Sequence, residues 1–555
     1  MKNKNRAEPW LTLYCLLAAA LLIGLCSRSS PLYPINDWND TNCFFTVGKA
    51  MFNGRVVYRD IYEQKGVLLY FLYGLAWLVS HRSFFGAYLL ETLCFAVFLR
   101  TAAETARRLG VLRGFALLLP CLAAVLCSSF GFFLGGSAEE IALPFLYPAL
   151  HVFLTSGEDG VPTPRRALLL GFLAGCVLWI KYTLLGLYFG YALYLLVLLT
   201  WRRDFKTLGQ MVGCFFAGIA LATLPWVLYF AVNGALGDWF EVYFFANMKY
   251  YSFDTLEEYS RLSFLTREIG NAILWNGRTS LLIALGAAAF LLSRRRWPRK
   301  LGLLLIYACA TLLPYIGGSA CDYYAFAYAP MAAPGALALA WLLERGIERL
   351  PIKGETLKTV GATLGCFCLA LLCGFLAWRF SASIFTVYAV LAVLVVAALA
   401  FLRGPAWNAT LRRVCAALLC LAVLAGSGVF AWRHSINSFF AAYAFEDLWF
   451  SRFAADIAAS EDQSLLNYGS LDSGLYTVTG YVPQTRFFCT LNLRMPEMWE
   501  EIDGYLREGR TKFVVTPVQP PALLLENYEI VDSVSGFSQF EERPCDYYLL
   551  QRKEP

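Results

Sequence analysis

Charge is scarce in this sequence. Asp, Glu, Lys and Arg together make up 15% of its 555 residues, whereas 58% are hydrophobic, more apolar material than a soluble core of this size uses. Histidine is scarcer still: His81, His151 and His434 are scattered and form no metal set. There is no P-loop, no glycine fingerprint for a dinucleotide beside a strand, and no HExxH. ATP-driven transport is thereby set aside. CxxC pairs are also missing among the 17 cysteines. Those inside apolar runs (Cys94, Cys121, Cys127, Cys214, Cys366, Cys368, Cys373) read as packing residues. Cys43, Cys321, Cys489 and Cys545 fall on the outer side, and whether any of them pair is left open. No run shows the alternating pattern of an outer-membrane barrel, and no internal repeat or low-complexity tract stands out. The net charge of +6 is no nucleic-acid signal, because Lys and Arg sit in short clusters between apolar runs, where they orient a membrane protein.

What the sequence does contain is a series of apolar runs of about 17–23 residues, the length that crosses a hydrocarbon core as helix. Mean hydropathy is +0.54. The runs fall near 9–27, 66–80, 84–100, 114–130, 140–155, 167–183, 184–200, 208–231, 279–293, 301–317, 324–343, 359–378, 382–402 and 414–432. The first follows a basic start, and with no clear cleavage site it reads as an uncleaved anchor. If every run crossed, the basic connectors around 100–113, 165–166, 202–206, 294–300, 345–358 and 403–413 would not share a side with the basic N-terminus. Demoting 66–80, which is short and carries Gly66 and Gly74, restores parity; such a segment lies along the interface or re-enters. About thirteen spans remain, with the N-terminus cytoplasmic. Loop 36–65, the turn at 135–140, the loop at 233–278, the turn at 317–323 and the tail lie outside. With no eukaryotic retention signal, the compartment expected is a bacterial plasma membrane.

From residue 433 the composition changes, with acidic residues outnumbering basic ones and charge evenly spread. This predicts a transmembrane domain over 1–432, including a first outer loop at 28–83, and an extracytoplasmic α/β domain over 433–555. Strands are expected at 464–468, 486–490, 512–516 and 547–551, around a helix at 496–508.

Charge collects in the first outer loop, 36–70, mixed with aromatic residues, as in a functional loop rather than a spacer. Asp37 and Asp40 either cap a helix through 41–52, or Asp40 is a carboxylate at the membrane surface able to take a proton from an attacking acceptor. Glu139 and Glu140 start a helix and suit its dipole; beside Gly135 and Gly136 they also suggest an aqueous pocket at the edge of hydrocarbon. Lys181 interrupts an apolar hairpin, either snorkelling to the interface or waiting for an anionic head group. Arg59, Lys65 and Lys249 could serve the same anion. Asp322, Tyr323, Tyr324 and Tyr328 mark another outer end, as an aromatic belt or as part of a site. Glu91 is an intramembrane acid and a candidate for that reason alone.

In sequence order and with this topology, the pattern resembles the GT-C class of polyprenyl-phosphate-sugar-dependent glycosyltransferases, specifically the protein mannosyltransferase and aminoarabinose transferase family. The likeness spans roughly 9–343. It rests on Asp40, Met51 and Gly54, on Glu63-Gln64-Lys65, on a Gly…Lys hairpin ending at Lys181, and on DYYAFAYAP from Asp322. The resemblance implies a polytopic α-helical fold and transfer, with inversion, of a sugar from a polyprenyl-phosphate donor to an outer-face acceptor. That acceptor is an envelope glycan, a lipid or a protein. It implies Asp40 as the essential acid, with Glu139 or Glu140 as the second. Arg59, Lys65, Lys181 and Lys249 would bind the donor phosphate, and Asp37, Glu63, Asn247, Asp322, Tyr323 and Tyr324 the sugar or acceptor. The family's Lys-Pro is Lys65-Gly66 here. Asn247 stands where some members keep a metal ligand, so a divalent metal stays open as cofactor and no metal ligands are assigned. The competing readings are a lipid-linked sugar flippase or secondary transporter using Glu91, Glu139 and Lys181 as pathway charges, and a structural role in envelope assembly.

Overall fold

The computed structural model describes residues 9–250, 260–317, 320–349, 409–491, 493, 495–538 and 543–554. The expected spans at 359–378 and 382–402 lie outside the described residues. The membrane part runs α1 (Pro9–Cys26), α2 (Asn39–Phe52), α3 (Val67–Val79), α4 (Phe85–Leu109), α5 (Leu112–Cys127), α6 (Ala138–Ile141), α7 (Leu143–Thr155), α8 (Pro164–Leu178), α9 (Gly186–Trp201) and α10 (Phe205–Val232). It continues through α11 (Leu236–Phe240), α12 (Asn247–Tyr250), α13 (Arg261–Trp275), α14 (Gly277–Leu292), α15 (Trp297–Leu312), α16 (Ala329–Arg349) and α17 (Ala409–His434).

Among the described residues six helices are long and apolar enough to cross a membrane, and the pair α13 and α14, bent by 98°, makes a seventh if it forms one span. Phe216, Leu221, Leu224 and Leu228 stand exposed along α10, an apolar surface that only lipid tails or a partner would cover. The chain is a multi-pass membrane protein.

Two helices follow the loop after α1. α2 is amphipathic, and α3, the 66–80 segment, is a 13-residue helix, about 20 Å long and short of a full hydrocarbon core. The two pack closely because Gly48 has no side chain: a Cβ there would lie 2.6 Å from the Tyr70 carbonyl oxygen and from the Gly74 nitrogen. The tight crossing brings the first turn of α2 beside the outer turn at 135–140. Asn36 Nδ2 and Thr41 Oγ1 both donate to the Gly135 carbonyl, at 3.2 and 3.3 Å, and the Tyr73 hydroxyl donates to that of Gly136.

The tail carries α18 (Trp449–Ala458), β1 (Leu465–Asn467), α19 (Leu475–Thr479), α20 (Pro496–Arg507), β2 (Phe513–Thr516), α21 (Ala522–Asn527), β3 (Tyr528–Ser538) and β4 (Arg543–Arg552). The sheet order is β1-β2-β4-β3, with β1 and β2 parallel and the other pairs antiparallel. Three expected strands and the helix fall within or around these elements. The strand expected at 486–490 does not form: the segment meets β1 through a single bridge from Cys489 to Asn467, and the ladder stops where the Thr490 N–H is shared with the Ser470 carbonyl and its Oγ1 accepts from the Gly469 N–H. In its place β3, an edge strand rich in Ser, Asp and Gly, pairs along its length with β4. Buried apolar side chains of the helices and of the tail belong to one continuous cluster.

Candidate active site

Asp40 sits in the first turn of α2, half-buried. It does not cap the helix, since the residue in that position is Trp38, with no side-chain cap bond. Instead its Oδ2 accepts from the Tyr323 hydroxyl at 2.7 Å. The Trp38 ring stands edge-on to Tyr323 at 4.8 Å and to Phe133 at 5.3 Å, fencing the carboxylate with aromatic surface. Asp37 is turned to other work: it pairs with Arg28 at 2.5 Å, and the Arg28 Nε is in turn held by Asn437 Oδ1 at 2.9 Å.

The two glutamates of the 135–140 turn separate. Glu139 Oε1 accepts from Lys181 Nζ at 2.6 Å, with the Glu139 side chain fully enclosed and that of Lys181 9% exposed. Glu140 Oε2 accepts from the backbone N–H of Gly136 at 2.9 Å, while its own N–H donates to Ser137 Oγ, so it closes the start of α6 as a capping residue does. Lys181 also lies 3.5 Å from the centre of the Tyr324 ring and 5.6 Å from that of Tyr323. One pair of adjacent tyrosines therefore touches both the acid and the cation.

Lys65 reaches this place through the backbone. Gly66 N–H donates to the Ile180 carbonyl at 3.0 Å and Leu68 N–H to that of Trp179 at 2.9 Å, so the chain beside Lys65 runs against the chain beside Lys181. The contact requires glycine, since a Cβ at Gly66 would lie 2.1 Å from the Trp179 oxygen. Gly66→Ala is expected to destabilise the protein by about 1–3 kcal/mol through overpacking; an unchanged melting temperature in detergent would refute the close approach. Glu63 Oε2 accepts from the Lys65 N–H at 2.9 Å and from the Tyr70 hydroxyl, and burial pushes its carboxyl up against the pull of Lys65. The Tyr58 hydroxyl donates to the Lys65 carbonyl at 2.6 Å. Tyr58 and Phe133 both hold positive φ, at 73° and 55°, a strained choice for aromatic residues that the surrounding packing must impose.

Other candidates stand elsewhere. Arg59 is exposed and bonds Asp60 and the Asn233 carbonyl; Lys249 is exposed beside Tyr250. Neither joins Lys65 and Lys181. Arg59→Ala and Lys249→Ala are expected to leave turnover within about fivefold of wild type, the reach of an exposed charge; a larger loss would return them to the site. Asn247 is buried, and its amide nitrogen donates to the carbonyls of Gln64, Val242 and Tyr243, tying α12 to the strand of chain that carries Lys65. Asp322 is half-buried at the head of the 322–328 turn. Among the described residues no three His, Cys, Asp or Glu side chains gather as metal ligands.

Residues the sequence reading did not assign also belong here. Trp38 and Phe133 wall the acid, Tyr70 holds Glu63, and the Cys321 thiol lies in the field of Asp40, Lys181 and Lys65 together. Only Cys321, directly before the Asp322 motif, carried a signal that could have been followed.

No protein-family model and no curated protein matches the sequence. Among solved structures, ArnT from Cupriavidus metallidurans superimposes with a TM-score of 0.55 both bound to undecaprenyl phosphate and in the apo state, at 14% and 15% identity, covering 98% of each chain. Arabinofuranosyltransferase AftD from Mycobacteria aligns over 99% of this chain and 40% of its own, at 14% identity and a TM-score of 0.47. Identity this low speaks to architecture, and the architecture spans both chains end to end: the fold of this protein is the GT-C fold that ArnT has.

Proposed function

We propose that the protein is a membrane glycosyltransferase that moves a sugar from a polyprenyl-phosphate carrier to an acceptor on the extracytoplasmic face. The observation that carries this reading is that the adjacent tyrosines Tyr323 and Tyr324 hold a carboxylate, Asp40, and a buried cation, Lys181, with the buried Lys65 close enough to act on the same neighbourhood. Support comes from the fold, shared with a protein solved with undecaprenyl phosphate bound.

In this reading Asp40 takes the proton of an acceptor hydroxyl or amine as that atom bonds to the anomeric carbon. The bond from that carbon to the carrier phosphate breaks on the opposite face, giving inversion. Lys181 and Lys65 meet the charge that develops on the leaving phosphate, where burial strengthens the interaction. Glu139 holds and aims Lys181, and Tyr323 orients Asp40. The remaining assignments complete the proposal: about thirteen spans, a cytoplasmic N-terminus, a bacterial plasma membrane, and a division into 1–432 and 433–555. The sugar is a hexose or pentose, and the acceptor an envelope glycan, a lipid or a protein. In liposomes given a radiolabelled polyprenyl-phosphate sugar and a membrane extract, label should pass to a new product while polyprenyl phosphate is freed. Donor crossing the bilayer unchanged, with no phosphate carrier released, would overturn the reading.

A further inference from the structure

The face of α2 turned away from Tyr323 carries Asn42, Thr46 and Lys49, a stripe at helical spacing. All three are fully buried, and buried polar groups of this kind cost several kcal/mol unless each is met by a partner, by about the amount of a lost hydrogen bond or more. Each finds a partner in one short stretch of the tail. Thr46 Oγ1 donates to Asp472 Oδ2 at 2.7 Å, Lys49 Nζ to the Tyr476 carbonyl at 2.5 Å, and Thr477 Oγ1 to Asn42 Oδ1 at 2.8 Å. Asp472 is itself fully buried and accepts from the Gly474 N–H at 2.9 Å, at a residue whose φ of +96° brings it against the Asn42 amide. The Cys43 and Cys489 thiols meet at the same seam.

Asn42 links this seam to the acid. Its Nδ2 donates to the carbonyls of Asn36 and Trp38, both at 2.9 Å, the residues that lead directly into Asp40. Burial draws the Lys49 amine down to about 7, with Asp472 opposing and Arg82 adding to the fall; burial raises Asp472. The two groups act on each other across the seam while each hydrogen-bonds elsewhere, Lys49 to the Tyr476 carbonyl and Asp472 to Thr46 and the Gly474 N–H. On its far side α2 is locked to α3 at Gly48.

We propose that the tail is part of the catalytic assembly, with Asp472 a positioning residue: through its bond from Thr46, alongside the separate Thr477 bond to Asn42, it fixes the roll of α2 and so the direction of Asp40. This rests on the reading of Asp40 given above. A domain that merely gripped an acceptor would have no need to plant a buried acid on the helix that bears the base.

The test compares wild type with Thr46→Val, Thr46→Ser and Asp472→Asn, measuring kcat and KM for a polyprenyl-phosphate sugar in liposomes, and hydrogen exchange of the 39–43 amides. Thr46→Val keeps the shape and removes the donor, so kcat should fall about 10–100-fold, the scale of a small misplacement of a catalytic group, with KM for the donor within about twofold and exchange at 39–43 faster. Thr46→Ser should restore both. Wild-type kcat and unchanged exchange in Thr46→Val would overturn the proposal, as would a fall in melting temperature with kcat per folded molecule intact. If Asp472→Asn does not fold, the Thr46 pair decides alone. If wild type transfers no sugar, the functional reading fails and exchange still judges the positioning: faster exchange in Thr46→Val upholds it, unchanged exchange sinks it.

Discussion

Asp40→Asn should abolish sugar transfer, lowering kcat by about 10²–10⁴-fold, the usual worth of a general base, while the protein folds and inserts as before. The amide keeps the size of the carboxylate and can still accept from the Tyr323 hydroxyl, the only bond from another residue described for this side chain's Oδ2, so stability has little reason to change. The two readouts are label transfer and melting temperature on the same preparation. Near-normal transfer would remove Asp40 from the role of base. A protein that lost transfer and also failed to fold would instead assign it to the packing of α2.

The second large effect concerns Lys181 and Glu139. Lys181→Met leaves a fully enclosed carboxylate without its cation, and breaking one side of such a pair costs about 3–5 kcal/mol. Both stability and transfer should fall. Replacing both partners, as Lys181→Met with Glu139→Leu, should recover most of the stability, since apolar groups of similar volume replace buried pairs at little cost. Transfer should not return, because the developing phosphate charge has lost its counterion. Recovery of both would show the pair to be structural.

Much of this was legible in order along the chain. Asp40, Lys65, Lys181 and the tyrosines of 322–328 could be placed on one side of a membrane from charge alone, because basic connectors mark the other side. What charge could not tell was direction. Lys65 and Arg59 are six residues apart in the same loop, yet one is drawn inward by Gly66 against Trp179 and the other turns to Asp60 and solvent. Glu139 and Glu140 differ by one step on a helix, about 100° of rotation, which sends one to Lys181 and the other back to Gly136. Asp37, three residues before Asp40, is occupied by Arg28. None of these choices has a signature in residue type. The same limit applies in the tail: β3 mixes Tyr528, Ile530, Val531, Val534 and Phe537 with Ser, Asp and Gly and becomes a strand along β4, while 486–490 has the composition of a strand and makes only one bridge to β1. The pairing of Thr46 with Asp472 joins positions too far apart for any local pattern to suggest.

The paired carbonyl bonds from Gly66 and Leu68 to Ile180 and Trp179 have a further consequence. Two ammonium groups that sat on independent side chains could drift together or apart by changing rotamers. Here the peptide chains beneath them are stitched together, so their stems are gauged by main-chain geometry. On the proposed reading of Lys65 and Lys181 as the cations that meet the carrier phosphate, substitutions nearby would retune affinity for an anion of one size without altering that size. Lengthening either segment by a residue is what would admit a different one, and relatives acting on other carriers should differ here by insertion or deletion rather than by exchange.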